Sequence, residues 1–122
     1  MKNSQDSKIS SVNELEGFTK ICLVENLREK HGQKFFVNET EIAVFKVEGE
    51  IFALNNVCPH QHTSMIYEGF IEDGCIVCPA HGWMFNLKTG RMPTDKKGLD
   101  TYPVKIIDNQ VFVKVIKKEW NW

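Results

Sequence analysis

The chain reads as an all-β protein: an antiparallel β-sandwich or small barrel with a smaller lobe inserted between its strands. Three observations predict this. Short apolar runs with period-two alternation recur along the sequence, as in Glu41 to Val47, where Ala43, Phe45 and Val47 share one face and Ile42, Val44 and Lys46 the other. Two-residue turn signals, Glu48-Gly49 and Asp108-Asn109, each separate a pair of such runs. Residues 55–98 break the pattern with a segment rich in Gly, Pro, Cys and His, and no stretch of a dozen residues shows a convincing helical period.

In chain order, residues 1–13 are polar, with four serines, and are expected to form a flexible arm. Asn13 to Gly17 reads as a short helical turn that Ser11 or Asn13 would cap. Residues 14–122 are expected to form a single domain. Its first strand is Phe18 to Val24. A turn at His31-Gly32 precedes a strand over Gln33 to Val37. The run Glu41 to Val47 and the run Glu50 to Leu54 form a hairpin around Glu48-Gly49. The inserted lobe follows, and Leu87-Lys88-Thr89-Gly90-Arg91 reads as the tight turn that closes it. Tyr102 to Ile107 and Gln110 to Val115 make the second hairpin, and Trp120 and Trp122 end the chain, placed to cover the sheet or to dock a partner.

Composition bounds the function. A length of 122 residues suits one core. Hydrophobic residues at 42% and charged residues at 25% are ordinary for a globular domain, which argues against disorder over most of the length. A net charge of −1 gives no reason to expect a nucleic acid or an anionic membrane as partner. No apolar run approaches the roughly 20 residues a membrane span needs. The first residues lack the apolar centre of a signal peptide, so a cytoplasmic protein is expected. In that setting the four cysteines, Cys22, Cys58, Cys75 and Cys78, suggest metal binding before disulfides.

The chemistry concentrates in one spaced set. Cys58-Pro59-His60 is followed, after seventeen residues, by Cys78-Pro79-Ala80-His81. Two thiols and two imidazoles in matched pairs are a good donor set for a soft-to-borderline metal. A structural zinc site suits the four residue types. Zinc fingers, however, usually pair Cys with Cys and His with His, whereas each half here joins one Cys to one His. That arrangement suits a binuclear centre in which each loop gives one ligand to each metal.

The pattern Cys-x-His followed by Cys-x-x-His resembles the Rieske family of [2Fe-2S] proteins. The likeness extends beyond the ligands, over about residues 40–116. Asn56-Val57-Cys58-Pro59-His60 resembles the family's first box, and the run from Gly74 through Cys78-Pro79-Ala80-His81-Gly82-Trp83 to Gly90 resembles its second. Tyr102-Pro103-Val104 is similar to its return strand. The resemblance implies a Rieske-type fold, with Cys58 and Cys78 on a buried iron and His60 and His81 on an outer, surface-near iron. Two ferric ions, two sulfides and two thiolates then sum to a neutral cluster, which accepts an electron more readily than an all-thiolate one. Rieske centres accordingly span about −150 to +300 mV, against about −400 mV for plant-type clusters. The respiratory branch carries an extra disulfide whose cysteines would align with Thr63 and Ala80. It also has two hydroxyl donors, where this chain has Trp83 and Phe85. Their loss points to the low-potential, ferredoxin end of the range, because hydrogen bonds to the cluster raise the potential.

The resemblance thus implies a one-electron carrier with a [2Fe-2S] cluster. It would pass electrons from a flavin-dependent reductase to a terminal oxygenase or other terminal redox enzyme. The small Rieske subunit of an assimilatory NAD(P)H nitrite reductase, partnered by its large subunit, is a second reading, and a structural zinc-binding interaction module is a third. Catalysis by the chain alone is not expected. A mononuclear iron would need two His and a carboxylate, and only His31 and His62 remain. Other residues invite lesser readings. Cys75 and Cys78 are spaced like a thiol redox pair, but Cys78 is claimed by the cluster, and Cys75 reads as a strand residue. Cys22 reads as a buried, inert thiol, and His62 as an exposed loop residue. Glu68, Glu72 and Asp73 form an acidic patch suited either to solvent or to a basic partner.

Overall fold

Antiparallel pairing, mostly between strands consecutive in sequence but also between β1 and β10 and between β4 and β8, organises the described residues into three small sheets. The computed structural model describes residues 16–57, 64–79, 82–93 and 98–115. The expected N-terminal arm, the helical turn's start and cap, and Trp120 and Trp122 lie outside these residues. Sheet A contains β1 (Phe18–Leu23), β10 (Gln110–Lys114) and β9 (Val104–Ile107) in that order. Sheet B contains β2 (Gly32–Val37), β3 (Thr40–Val47), β4 (Glu50–Asn55) and β8 (Thr101–Tyr102). Sheet C, inside the inserted lobe, contains β5 (Phe70–Glu72), β6 (Cys75–Val77) and β7 (Met84–Asn86). Two 3-10 turns, Val24–Asn26 and Ile66–Glu68, are the helical elements among the described residues. No helix there is long and apolar enough to cross a membrane.

Four hairpins close through two-residue turns with both residues at positive φ: Asn38-Glu39, Glu48-Gly49, Asp73-Gly74 and Asp108-Asn109. This left-handed pair matches the twist of the flanking strands. Asn, Asp and Gly bear it at little cost, whereas Glu39 and Glu48 adopt it under the constraint of the strands they join.

The alternation seen in Glu41 to Val47 acquires its meaning here. Both faces of β3 are buried, because sheet B lies between two separate cores. Ala43 and Phe45, with Leu54 of β4, face the lobe and pack with Ile66, Ile76, Cys78, Phe85, Leu87 and Leu99. Ile42 and Val44, with Ile51 and Ala53 of β4, face sheet A and pack with Val111 and Val113. A two-sided strand needs apolar residues at successive positions, and Ile42 through Phe45 supply them.

The expected strand over Tyr102 to Ile107 is in fact two. Tyr102 pairs with Ala53 in sheet B, whereas Val104 pairs with Val113 in sheet A. Pro103 lies between them. It has no N–H to give to either ladder, and its carbonyl accepts the Lys114 N–H at 3.1 Å. The expected turn at His31-Gly32 falls slightly earlier. Gly32 already pairs with Phe45, and the His31 N–H closes on the Arg28 carbonyl. In β1 the register slips between Lys20 and Cys22, a bulge the apolar pattern does not announce.

Candidate metal centre

Each candidate ligand pair sits on a loop whose ends are held by backbone pairing. The first loop leaves β4 through Asn55, Asn56 and Val57 and returns at Ser64. Val57 and Ser64 form an isolated antiparallel bridge across its base. The Asn55 side chain accepts the Val57 N–H at 2.8 Å, turning the chain out of the sheet, and donates to the Tyr102 hydroxyl at 3.1 Å. The second loop connects β6 to β7. The Cys78 N–H donates to the Trp83 carbonyl at 2.8 Å, and the Gly82 N–H returns to the Cys78 carbonyl at 2.9 Å. Gly82, with φ at 72°, provides the left-handed residue this tight return requires.

Of the four predicted ligands, the described residues contain Cys78. Its side chain is buried to 1% exposure, in the same core cluster as Ile66, Ile76 and Phe85. Cys58, His60 and His81 lie outside the described residues, as do His62, Thr63 and Ala80. Among the described residues no three of His, Cys, Asp or Glu come together in a way that holds a metal ion.

The surroundings of Cys78 test whether a cluster suits the site. A thiolate alone among Phe85, Ile66 and Leu99 would pay the desolvation of a bare charge. Bound to a ferric ion, its charge is neutralised where it sits. Ile66, just after the first loop, and Cys78, at the start of the second, share one core, so a single apolar base supports the roots of both loops. The surroundings of Cys78 fit a thiolate ligand of a [2Fe-2S] cluster.

Period two sorts the neighbours of Cys78. Ile76 and Cys78 face the core, while Cys75 lies on the opposite face of sheet C, across from Glu72 and Asn86. Burial, and then the charge of Asp73, push the Cys75 thiol above its ordinary range. A neutral thiol facing away from Cys78 is not an activated redox partner, in keeping with its reading as a strand residue. Cys22, half-buried rather than fully so, is likewise pushed up by burial. Trp83 packs half-buried against the lobe core, and Phe85 is fully buried within it. Glu68, Glu72 and Asp73 are exposed, the first on the 3-10 turn and the others at the β5–β6 turn.

Asn56 is a site residue that motif reading passed over. It is the one polar residue among the described residues that is fully buried, and every polar atom it has is used. Its N–H donates to the Glu41 carbonyl at 3.0 Å, and its carbonyl accepts the Ile66 N–H at 3.2 Å. Its side-chain oxygen accepts the Tyr67 N–H at 2.8 Å, and its amide donates to the Glu41 carboxylate at 3.1 Å. That hydrogen bond, then one from Ser64, with the charge of Lys34 adding and burial opposing, holds the Glu41 carboxyl below the usual carboxylate range. The signal was available in the strand parity: Asn56 lies two residues after the buried Leu54, on the core face, where a polar side chain must find partners.

Comparison with known proteins agrees with this geometry. A family model described as a Rieske-like [2Fe-2S] domain matches residues 17–114. The 3-phenylpropionate/cinnamic acid dioxygenase ferredoxin subunit of Photorhabdus laumondii is 35% identical over 103 residues, covering 81% of this chain and 95% of the relative. Among solved structures, a ferredoxin of Sphingomonas yanoikuyae B1 superposes with a TM-score of 0.72 at 28% identity, covering 80% of this chain and 98% of that one. A protein of Mycobacterium tuberculosis described as an NADH-dependent nitrite reductase small subunit superposes with a TM-score of 0.77 at 18% identity, covering 83% and 96%.

Proposed function

The chain belongs to the Rieske-like [2Fe-2S] domain family, and from that premise we propose that it serves as the cytoplasmic ferredoxin component of an oxygenase system, with a flavin-dependent reductase as donor. Its cofactor is a [2Fe-2S] cluster, which takes up and gives back one electron at a time. In this reading Cys58 and Cys78 hold the inner iron, and His60 and His81 the outer one. The protein's own work is to hold two short loops against a rigid base, keep the inner ligand dry and leave the outer ligands near solvent. The observation that carries the reading is the buried Cys78 at the root of a tightly closed loop, on the same core as the root of the other.

The test is the electron paramagnetic resonance spectrum of the dithionite-reduced protein, taken with iron and acid-labile sulfide content. A Rieske-type spectrum with matched iron and sulfide is expected, and zinc without either would overturn the reading. With no hydroxyl at Trp83 or Phe85, a midpoint in the lower part of the Rieske range is expected. A redox titration placing it well above zero volts would refute that.

The nitrite reductase subunit is the second reading. The likeness at 18% identity supports the shared fold, whereas the ferredoxin relative is closer in sequence over almost its whole length. Isolation from its native host distinguishes the two, since a fixed subunit co-purifies with a large flavin- and sirohaem-bearing chain and a free carrier does not.

A further inference from the structure

The first ligand loop leaves the fold at Val57 and rejoins it at Ser64, and Asn56 ties the segments on either side of it together. Glu41 stands at the start of β3, the strand buried on both faces, so its backbone is among the most firmly held in the molecule. Its carboxylate accepts from the Asn56 amide, which precedes the loop. Its carbonyl accepts the Asn56 N–H as well. Asn56 in turn fixes the return segment by accepting the Tyr67 N–H and by receiving the Ile66 N–H on its carbonyl.

We propose that Glu41 and Asn56 are positioning residues for the cluster: Glu41 fixes Asn56 on the central strand, and Asn56 holds Ile66 and Tyr67, so the pair clamps together the two ends between which Cys58 and His60 lie in sequence. This rests on the ferredoxin reading given above and deepens it. Neither residue touches a metal. The β3–β4 ladder and both cores hold β3 and β4 in place whether or not Glu41 carries a carboxylate. What the carboxylate adds is a charge-assisted hydrogen bond to the side-chain amide of the fully buried Asn56. Hydrogen bonds to a charged group are the stronger class, and a buried donor left without its partner bears the full cost of desolvation.

The experiment compares cluster-loaded wild type with Glu41→Gln, Glu41→Ala, Asn56→Asp and the double variant Glu41→Gln/Asn56→Asp. Each is read for the rate of iron release to a chelator at neutral pH and for the thermal midpoint of the fold. Glu41→Ala strands the Asn56 amide, and about tenfold faster iron release is expected. Asn56→Asp sets carboxylate against carboxylate, and a larger acceleration is expected. Glu41→Gln keeps an oxygen for the Asn56 amide and should stay within about threefold of wild type. The double variant should recover much of the Asn56→Asp loss, because the glutamine amide can donate to the new carboxylate. Val113→Ala, in the other core, is the control: it lowers the thermal midpoint without touching the loop.

If Glu41→Ala releases iron at the wild-type rate, the clamp is refuted. The same follows if iron release tracks the thermal midpoint along one line that includes Val113→Ala. Should Asn56→Asp fail to fold, Glu41→Ala and Glu41→Gln decide alone. Wild type lacking iron and sulfide would instead refute the ferredoxin reading itself, so the two failures are distinct.

Discussion

Removing the Phe85 ring tests the lobe core on which the candidate centre rests. Phe85 is fully buried on β7, opposite Ile76, in the cluster that contains Ala43, Phe45, Leu54 and Cys78. Truncating a fully buried Phe to Ala costs about 3–5 kcal/mol, counting both lost transfer energy and the cavity left behind. Native domains have about 5–15 kcal/mol in total, so the change removes a large share. At about 4 °C per kcal/mol for a domain near this size, the thermal midpoint should fall by about 12–20 °C. Far-UV circular dichroism of the cluster-loaded protein at one fixed heating rate measures it. Phe36→Ala is the internal control. That ring is 71% exposed on β2, and its loss should change stability by no more than about 0.5 kcal/mol. A Phe85→Ala shift under about 4 °C, or one equal to that of Phe36→Ala, would refute the placement of Phe85 in a packed core shared with Cys78.

Three further outcomes follow from the same geometry. Gly98→Ala should loosen the closure of the lobe, because its Cβ would lie 1.7 Å from the Gly90 carbonyl oxygen, beside the Leu99 N–H bond to that same oxygen; a thermal midpoint within 1–2 °C of wild type, roughly the change of a neutral surface substitution, would contradict it. Phe85→Tyr should raise the cluster's midpoint potential by offering a hydroxyl beside Cys78, and an unchanged potential would show that the ring is turned away from the cluster. Cys22, its thiol pushed up by burial, is protonated to a greater degree at any given pH than an ordinary cysteine; its alkylation by iodoacetamide should therefore be slow at pH about 8 and rise only at higher pH than in the unfolded chain, and equal rates in the two states, read by peptide mass spectrometry, would overturn this.

What the sequence made legible, and what it hid, divides along physical lines. The all-β class and both hairpins flanking the lobe were readable, because period-two alternation and left-handed turn pairs are local signals. The [2Fe-2S] family was readable because metal chemistry is written in residue type and spacing. The three strands of sheet C were not, since each has three residues and too few alternations to register. The break at Pro103 was hidden for a different reason. Tyr102 and Val104 both favour extended backbone, and only the assignment of each to a different sheet separates them. Likewise the alternation in β3 showed two apolar faces but not that each belongs to its own core.

The Glu41–Asn56 pair lies between these cases. A two-residue turn at Glu48-Gly49 pairs Val47 with Glu50, and the register then runs without slip to Ile42 opposite Asn55. One more step brings Glu41 opposite Asn56, where the Asn56 N–H meets the Glu41 carbonyl. The turn chemistry therefore carries the pairing of a carboxylate with an amide at the mouth of the ligand loop, seven residue pairs away from the turn itself. Ile66 and Tyr67 could not be placed that way, because their bonds to Asn56 come from beyond the hairpin. A hairpin register that slipped by one residue would turn Asn56 away from the core face and leave the loop ends untied. The same local turn that builds the central hairpin thus also sets where the first ligand pair begins.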